Sequence, residues 1–376
     1  MNDHEPRPDR TPPPAHPPTW ASANPAPTDP SPPSGTPSIS DAPQYPAQYA
    51  AQSGESGYQQ QYPPGGWFPT PQPPQPQPWS LPTPSGLRFD HLARNAINSW
   101  WRPILGTVFL IVGFLISSLV LGLVVGLLAR MAGIPMVAEG SRVFTDPLLD
   151  VAFQLLVLAA AIPVVLGTVW LVQRRRPGTV SSVVGRLRWR WLLTCVPLGL
   201  LAVVVGEASQ QLTVFLSGEP VTYEWGGWTP FVQAMAVILL LVPFQAAAEE
   251  YVFRGWVIQA FGAYMRNPWP AFIIGSAGFA ALHGYTDWGI AYVFGFGILS
   301  GWLAVRTGGL EAPIALHVVN NVVAFGFSAA DGNLDGALEQ GSLPWQTVVG
   351  TVVQFAVYTI VVLTFARKTA VQTVSR

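Results

Sequence analysis

From residue 103 to residue 366 the chain is a near-continuous series of apolar stretches, each close to the length needed to cross a bilayer core. A spanning helix needs about 20 predominantly apolar residues. Candidates lie at 103–129, 148–172, 190–216, 229–262, 270–285, 288–305, 310–328 and 345–366. Only 10% of the 376 residues are charged and 49% are hydrophobic, against about 25% charged in a soluble domain. The expectation is an all-α polytopic membrane protein of about eight transmembrane helices. The third stretch ends in the more polar GEASQQLTVFLSGE. The fourth exceeds what a bilayer needs and has room to bend after Pro243. The fifth is short, which suits a helix whose end faces a cavity rather than lipid.

Basic residues set the orientation, because cytoplasmic loops carry an excess of Lys and Arg. Arg174, Arg175, Arg176, Arg186, Arg188 and Arg190 cluster between the second and third stretches, so that loop is expected in the cytoplasm. Counting outward places Arg88, Arg94, Arg102, Arg266, Arg306, Arg367, Lys368 and Arg376 on the same side. Asp287, Asp331, Asp335 and Glu339 fall on the other. Arg130 and Arg142 run against the trend, in a loop that also holds Glu139, Asp146 and Asp150. Both termini are therefore expected in the cytoplasm of a multi-pass protein of the cell membrane.

Residues 1–86 differ in kind from 87–376. They hold most of the 38 prolines, together with Gln, Ser and Tyr, in runs such as PTPQPPQPQPW. Such a segment buries too little apolar area to offset chain entropy, so it is expected to be a disordered cytoplasmic tail with polyproline II character. It has no basic region followed by an apolar one, so it does not read as a signal peptide. A flexible tail and a docking segment for a protein partner are both open readings of it. Cys195 stands alone, which excludes an internal disulfide, and it reads as a small buried apolar residue. A net charge of −1 with no basic patch outside the membrane-flanking loops argues against nucleic acid.

Against this apolar background a few polar residues stand out. Glu249 and Glu250 sit side by side in VQAMAVILLLVPFQAAAEEYVFRGWVIQAF, with Arg254 four positions after Glu250. Ionisable groups at such depth are costly and mark function by default. Glu250 and Arg254 share one helix face and can pair, while Glu249 is rotated about 100° from Glu250. One carboxylate can thus be held by the guanidinium while the other faces a cavity. The bland reading is a buried packing network; the functional one makes Glu249 a general base for water. His283 follows Phe279 at i, i+4 in GFAALHGY, and His317 precedes Asn321 at i, i+4 in APIALHVVNNVVAF, whereas Asn320 points elsewhere. Buried His and Asn can also serve only to cross-link helices.

Taken together, EEYVFR (Glu249–Arg254), FAALH (Phe279–His283) and HVVNN (His317–Asn321) resemble, in order, the EExxxR, FxxxH and HxxxN motifs of the CPBP family. That family comprises CAAX prenyl endopeptidases and the bacteriocin-processing and immunity proteins often labelled Abi. The resemblance covers residues 229–328, expected to be the catalytic core, and leaves the proline-rich tail outside it. It implies an intramembrane endopeptidase acting on a peptide or protein with a membrane-proximal cleavage site, such as a prenylated or hydrophobic C-terminal segment or a bacteriocin-like peptide. Carried over, Glu249 activates water with help from His283, while His317 and Asn321 stabilise the oxyanion. Glu250, Arg254 and Phe279 support the site.

Two mechanisms stay open at this point. A catalytic zinc takes about three protein ligands and a water, and Glu249, His283 and His317 could supply them. Without a metal, base, orienter and oxyanion donors each have one residue, and no cofactor is required; that version is favoured. Two other classes compete with the enzyme. A non-catalytic scaffold or immunity protein would use the same fold to bind a partner. A proton-coupled transporter could use the same buried Glu and His, although no inverted repeat is evident.

Overall fold

The computed structural model describes residues 78–139, 142–220, 224–334 and 341–376, all within one compact unit, Pro73–Arg376. The expected disordered tail lies, up to residue 77, outside the described residues, as does any docking segment within it. Residues 78–86, which the sequence assigns to that tail, are tied to the helical unit. Leu81 N–H donates to Arg174 O, Gly86 N–H to Ser375 O, and the Trp79 indole to Trp170 O.

The described residues form ten α-helices: α1 (Trp101–Met131), α2 (Pro147–Ala159), α3 (Ala161–Leu171), α4 (Trp189–Leu216), α5 (Trp228–Glu250), α6 (Ile258–Gly262), α7 (Trp269–Ala281), α8 (Asp287–Thr307), α9 (Glu311–Ala330) and α10 (Gln346–Lys368). A small antiparallel pair, β1 (Met136–Glu139) and β2 (Arg142–Phe144), precedes α2. Sequence chemistry explains several boundaries. Asp146 caps α2 by accepting from Leu149 N–H, with Pro147 in the first turn, a position where proline gives up nothing. Pro163 has no N–H to return to Ala159, and the helical run breaks between α2 and α3 there. Gly308, at φ 74°, ends α8 in the left-handed conformation that glycine adopts without strain.

Among the described residues, seven helical runs are long and apolar enough to cross a membrane: Trp101–Met131, Pro147–Leu171, Trp189–Leu216, Trp228–Gly262, Asp287–Thr307, Glu311–Ala330 and Gln346–Lys368. The expected eighth is α7, of 13 residues, and it falls short. At 1.5 Å per residue it rises only about 20 Å, against a hydrocarbon core of about 30 Å. Apolar composition identified the stretch, but Leu282 to Thr286 leave the helix and carry the chain into α8.

The outer faces are apolar and exposed, most of all on α1, where Gly106, Leu110 and Ala129 are the buried residues. A surface like that on Ile104–Leu128 would aggregate in water and is natural against lipid. Gly106 lets α1 approach Trp256, where a Cβ would collide with the indole, and Trp256 Nε1–H donates to Thr107 Oγ1. Inside, α9 packs against α4 and α5, α4 against α10, and α7 against α8. Cys195, Phe279, Phe296, Leu316 and Tyr358 share one cluster, with Cys195 fully buried as expected.

Apart from Arg130, Arg142 and Arg254, the basic residues among those described gather at one end of the bundle. Arg94 donates to Gly262 O and Met265 O, Arg102 to Val172 O, and Arg174 to Trp79 O. Arg188 binds the buried Glu311 carboxylate through Nε and Nη2, and also reaches Thr307 O and Gln372 O. One side chain thereby ties the start of α4 to the α8–α9 junction and the C-terminal segment. At the opposite end, Gly226 N–H donates to Ala330 O and Gln346 Nε2–H to Glu219.

Candidate active site

Helix α5 does not stop at Glu250. It runs into a π-helical turn, Tyr251–Val257, and then into α6. Such turns carry one residue more per turn than the α-helix and recur at functional sites. This one begins immediately after the glutamate pair and contains Arg254.

The two carboxylates have different surroundings. Glu250 is fully buried, and its Oε1 accepts from Arg254 Nη1 at 3.0 Å and from His317 Nδ1 at 2.8 Å. The Arg254 guanidinium lies over the Phe279 ring, 4.1 Å from its centroid, a cation–π contact that holds the charge in a site with no water-facing surface. Phe279 in turn sits edge-on to the His317 ring and tilted against His283. The supporting trio thus forms a floor beneath the two histidines.

Glu249 is 14% exposed and reaches the cavity. Its Oε1 accepts from Gln245 Nε2 at 2.7 Å, and Gln245 Oε1 accepts from Asn321 Nδ2 at 3.1 Å. Its Oε2 stands 3.7 Å from His283 Nε2 and 3.5 Å from His317 Nε2. Partners on the far side of each imidazole fix the proton positions. His283 Nδ1 faces the Phe279 carbonyl at 2.7 Å, which can only accept, so Nδ1 carries the hydrogen. His317 Nδ1 likewise faces the arginine-paired Glu250. In the neutral form each histidine therefore turns the lone pair of Nε2 towards Glu249 Oε2. Three acceptors converge, and Oε2 has no hydrogen-bond partner among the described residues. A water between them could donate to two and keep a lone pair free.

All seven residues singled out in the sequence meet here: Glu249, Glu250 and Arg254 from the α5 run, Phe279 and His283 from α7 and its end, and His317 and Asn321 from α9. Gln245 was missed, although it stands four residues before Glu249 on the same face, a spacing that was there to be read. Among the described residues no group of three or more His, Cys, Asp or Glu side chains is arranged as a closed metal site, although Glu249 Oε2, His283 Nε2 and His317 Nε2, donor types that zinc takes, converge within 3.7 Å.

The site opens into a cavity of about 550 Å³. Its walls come from α2, α4, α5, α7, α8, α9 and α10 and from His283, Tyr285 and Gly341–Leu343, more helices than the three that carry the motifs. Asn320 does face different partners from Asn321, donating to Tyr292 Oη and accepting from Gln354 Nε2, but it lines this same cavity. Gly341–Leu343 and Tyr285 belong to the α9–α10 and α7–α8 connections, so the cavity extends towards the end of the bundle opposite the arginine-rich loops.

Residues 231–323 match the family model described as type II CAAX prenyl endopeptidase Rce1-like. The uncharacterized protein YyaK of Bacillus subtilis (strain 168) is similar, with 29% identity over 206 residues that cover 52% of this chain and 67% of that protein. No solved structure matches the chain. The segment that holds all seven side chains of the site, residues 231–323, is thus the Rce1-like part of the chain, similar to the type II CAAX prenyl endopeptidases.

Proposed function

We propose that the protein is an intramembrane endopeptidase in which Glu249 activates a water to hydrolyse a peptide bond close to the membrane surface. The observation that carries this reading is the convergence of Glu249 Oε2, His283 Nε2 and His317 Nε2 within 3.7 Å, beside a cavity deep in an apolar bundle. Glu249 takes a proton from the water as its oxygen adds to the scissile carbonyl carbon. His283, fixed by Phe279 O, orients that water. Asn321 and His317 face the carbonyl oxygen as it becomes an oxyanion. His317 can donate from Nε2 only as the doubly protonated imidazolium, whose Nδ1–H bond to Glu250 is then charge-assisted. Collapse of the tetrahedral intermediate breaks the C–N bond, and the proton held by Glu249 passes to the leaving amine.

The substrate on this reading is a peptide or protein presented near the membrane, such as a prenylated or hydrophobic C-terminal segment. The positive-inside rule places the arginine-rich end, and with it both termini, in the cytoplasm. Comparison of membrane proteomes from cells carrying the wild type or Glu249→Gln tests the proposal. New protein termini present only with the wild type are the expected result. Identical termini, with any phenotype of the gene retained in the variant, would favour a non-catalytic scaffold on the same fold.

A further inference from the structure

The mechanism uses one wall of the cavity and leaves another unassigned. On that second wall stand Glu207, Gln210 and Gln211 of α4, Asn320 of α9, Tyr292 of α8 and Gln354 of α10. Glu207 lies roughly 14 Å of helical rise from the end of α4 at Leu216, well inside a core about 30 Å thick. A carboxylate there is costly unless it faces a polar space, and Glu207 does face one.

Two observations mark this wall as a ligand surface. First, the side chains of Glu207, Gln210 and Gln211 have no hydrogen-bond or ion-pair partner among the described residues, while Asn320, Tyr292 and Gln354 satisfy one another. Second, among the described residues no Lys or Arg lines the cavity, whereas Glu207 and Glu249 both do. Carboxamides supply donors and an acceptor, the complement of a peptide backbone, and the Glu207 carboxylate, with no cation beside it among the described residues, favours one.

We infer that Glu207 is a specificity-determining residue that binds a basic side chain of the substrate peptide, with Gln210 and Gln211 engaging its backbone. Depth sets where that residue falls in the peptide. Glu207 lies within electrostatic reach of Tyr292, whose hydroxyl accepts from Asn320; Asn320 follows His317 by three positions, a rise of about 4.5 Å along α9, and an extended chain advances about 3.3 Å per residue. The basic residue therefore lies within a few positions of the bond to be cut.

This inference rests on the peptidase reading for its substrate class, but its test uses binding alone. The probes are fluorescent peptides with a hydrophobic C-terminal anchor that carry Lys, Ala or Glu at each position in turn. They are titrated against the full-length protein in nanodiscs on a Glu249→Gln background. At one position the Lys peptide is expected to bind about tenfold more tightly than the Ala peptide. Adding Glu207→Gln should bring the two together, and Glu207→Lys should favour the Glu peptide instead. A Lys preference that survives Glu207→Gln, no Lys preference at any position, or no binding of any peptide overturns the inference. Wild-type cleavage of the same peptides is scored in parallel. Glu207-dependent binding without cleavage would sink the peptidase reading and leave the role of Glu207 standing.

Discussion

Asn321 is tied to Glu249 through Gln245: the asparagine donates to Gln245 Oε1 at 3.1 Å, and Gln245 donates to Glu249 Oε1 at 2.7 Å. The glutamine occupies one oxygen of the carboxylate and leaves the other facing the two histidines. Orientation of the Glu249 carboxylate is thus shared between α5 and α9.

Replacing Gln245 with Leu should therefore lower kcat about tenfold to a hundredfold with little change in KM, because the base is misplaced rather than removed. Single-turnover cleavage of a substrate peptide in nanodiscs measures it. An unchanged kcat would mean that Gln245 only packs.

Glu249→Gln keeps the shape and the Gln245 contact but removes the base. Cleavage should fall at least about a thousandfold, while the thermal unfolding midpoint in detergent stays within a few degrees of the wild type. A variant that still cuts at a tenth of the wild-type rate would shift the base elsewhere, with Glu250 the next carboxylate along.

Arg254→Met leaves the Glu250 carboxylate buried without its guanidinium, and His317 alone then faces it. Losing one partner of a buried pair costs about 3–5 kcal/mol, so the variant should unfold at markedly lower temperature or denaturant. Arg254→Met with Glu250→Gln should recover much of that loss. If the double variant is no more stable than the single one, the pair is not the source of the effect.

Exhaustive dialysis against a chelator should leave cleavage unchanged if Glu249 acts on water directly. Loss of activity restored by added zinc, with stoichiometric metal on the purified protein, would instead assign Glu249, His283 and His317 as ligands.

Sequence patterning was a good guide wherever one side chain's neighbours lie on its own helix. Seven of the spans follow from apolar length, and the i, i+4 pairs Glu250–Arg254, Phe279–His283 and His317–Asn321 already share a face before any folding. What escaped depends on packing. Nothing in YVFRGWV announces a π-turn, and nothing in GEASQQL says that Glu207 faces a cavity rather than lipid or a neighbour. The bond between Glu250 and His317 joins residues 67 positions apart, so only the close approach of α5 and α9 reveals it. The eighth span failed for a different reason: composition measures apolarity, but not where a helix stops.

That early stop has a consequence for chemistry. Helix α7 reaches about two-thirds of the way across a bilayer core and ends just before His283. Above its last turn the protein has loop and cavity where a full-length helix would have filled the space. Hydrolysis inside a membrane requires water to reach the bond, and here the shortfall of one helix leaves the histidine at the foot of a well rather than behind a wall.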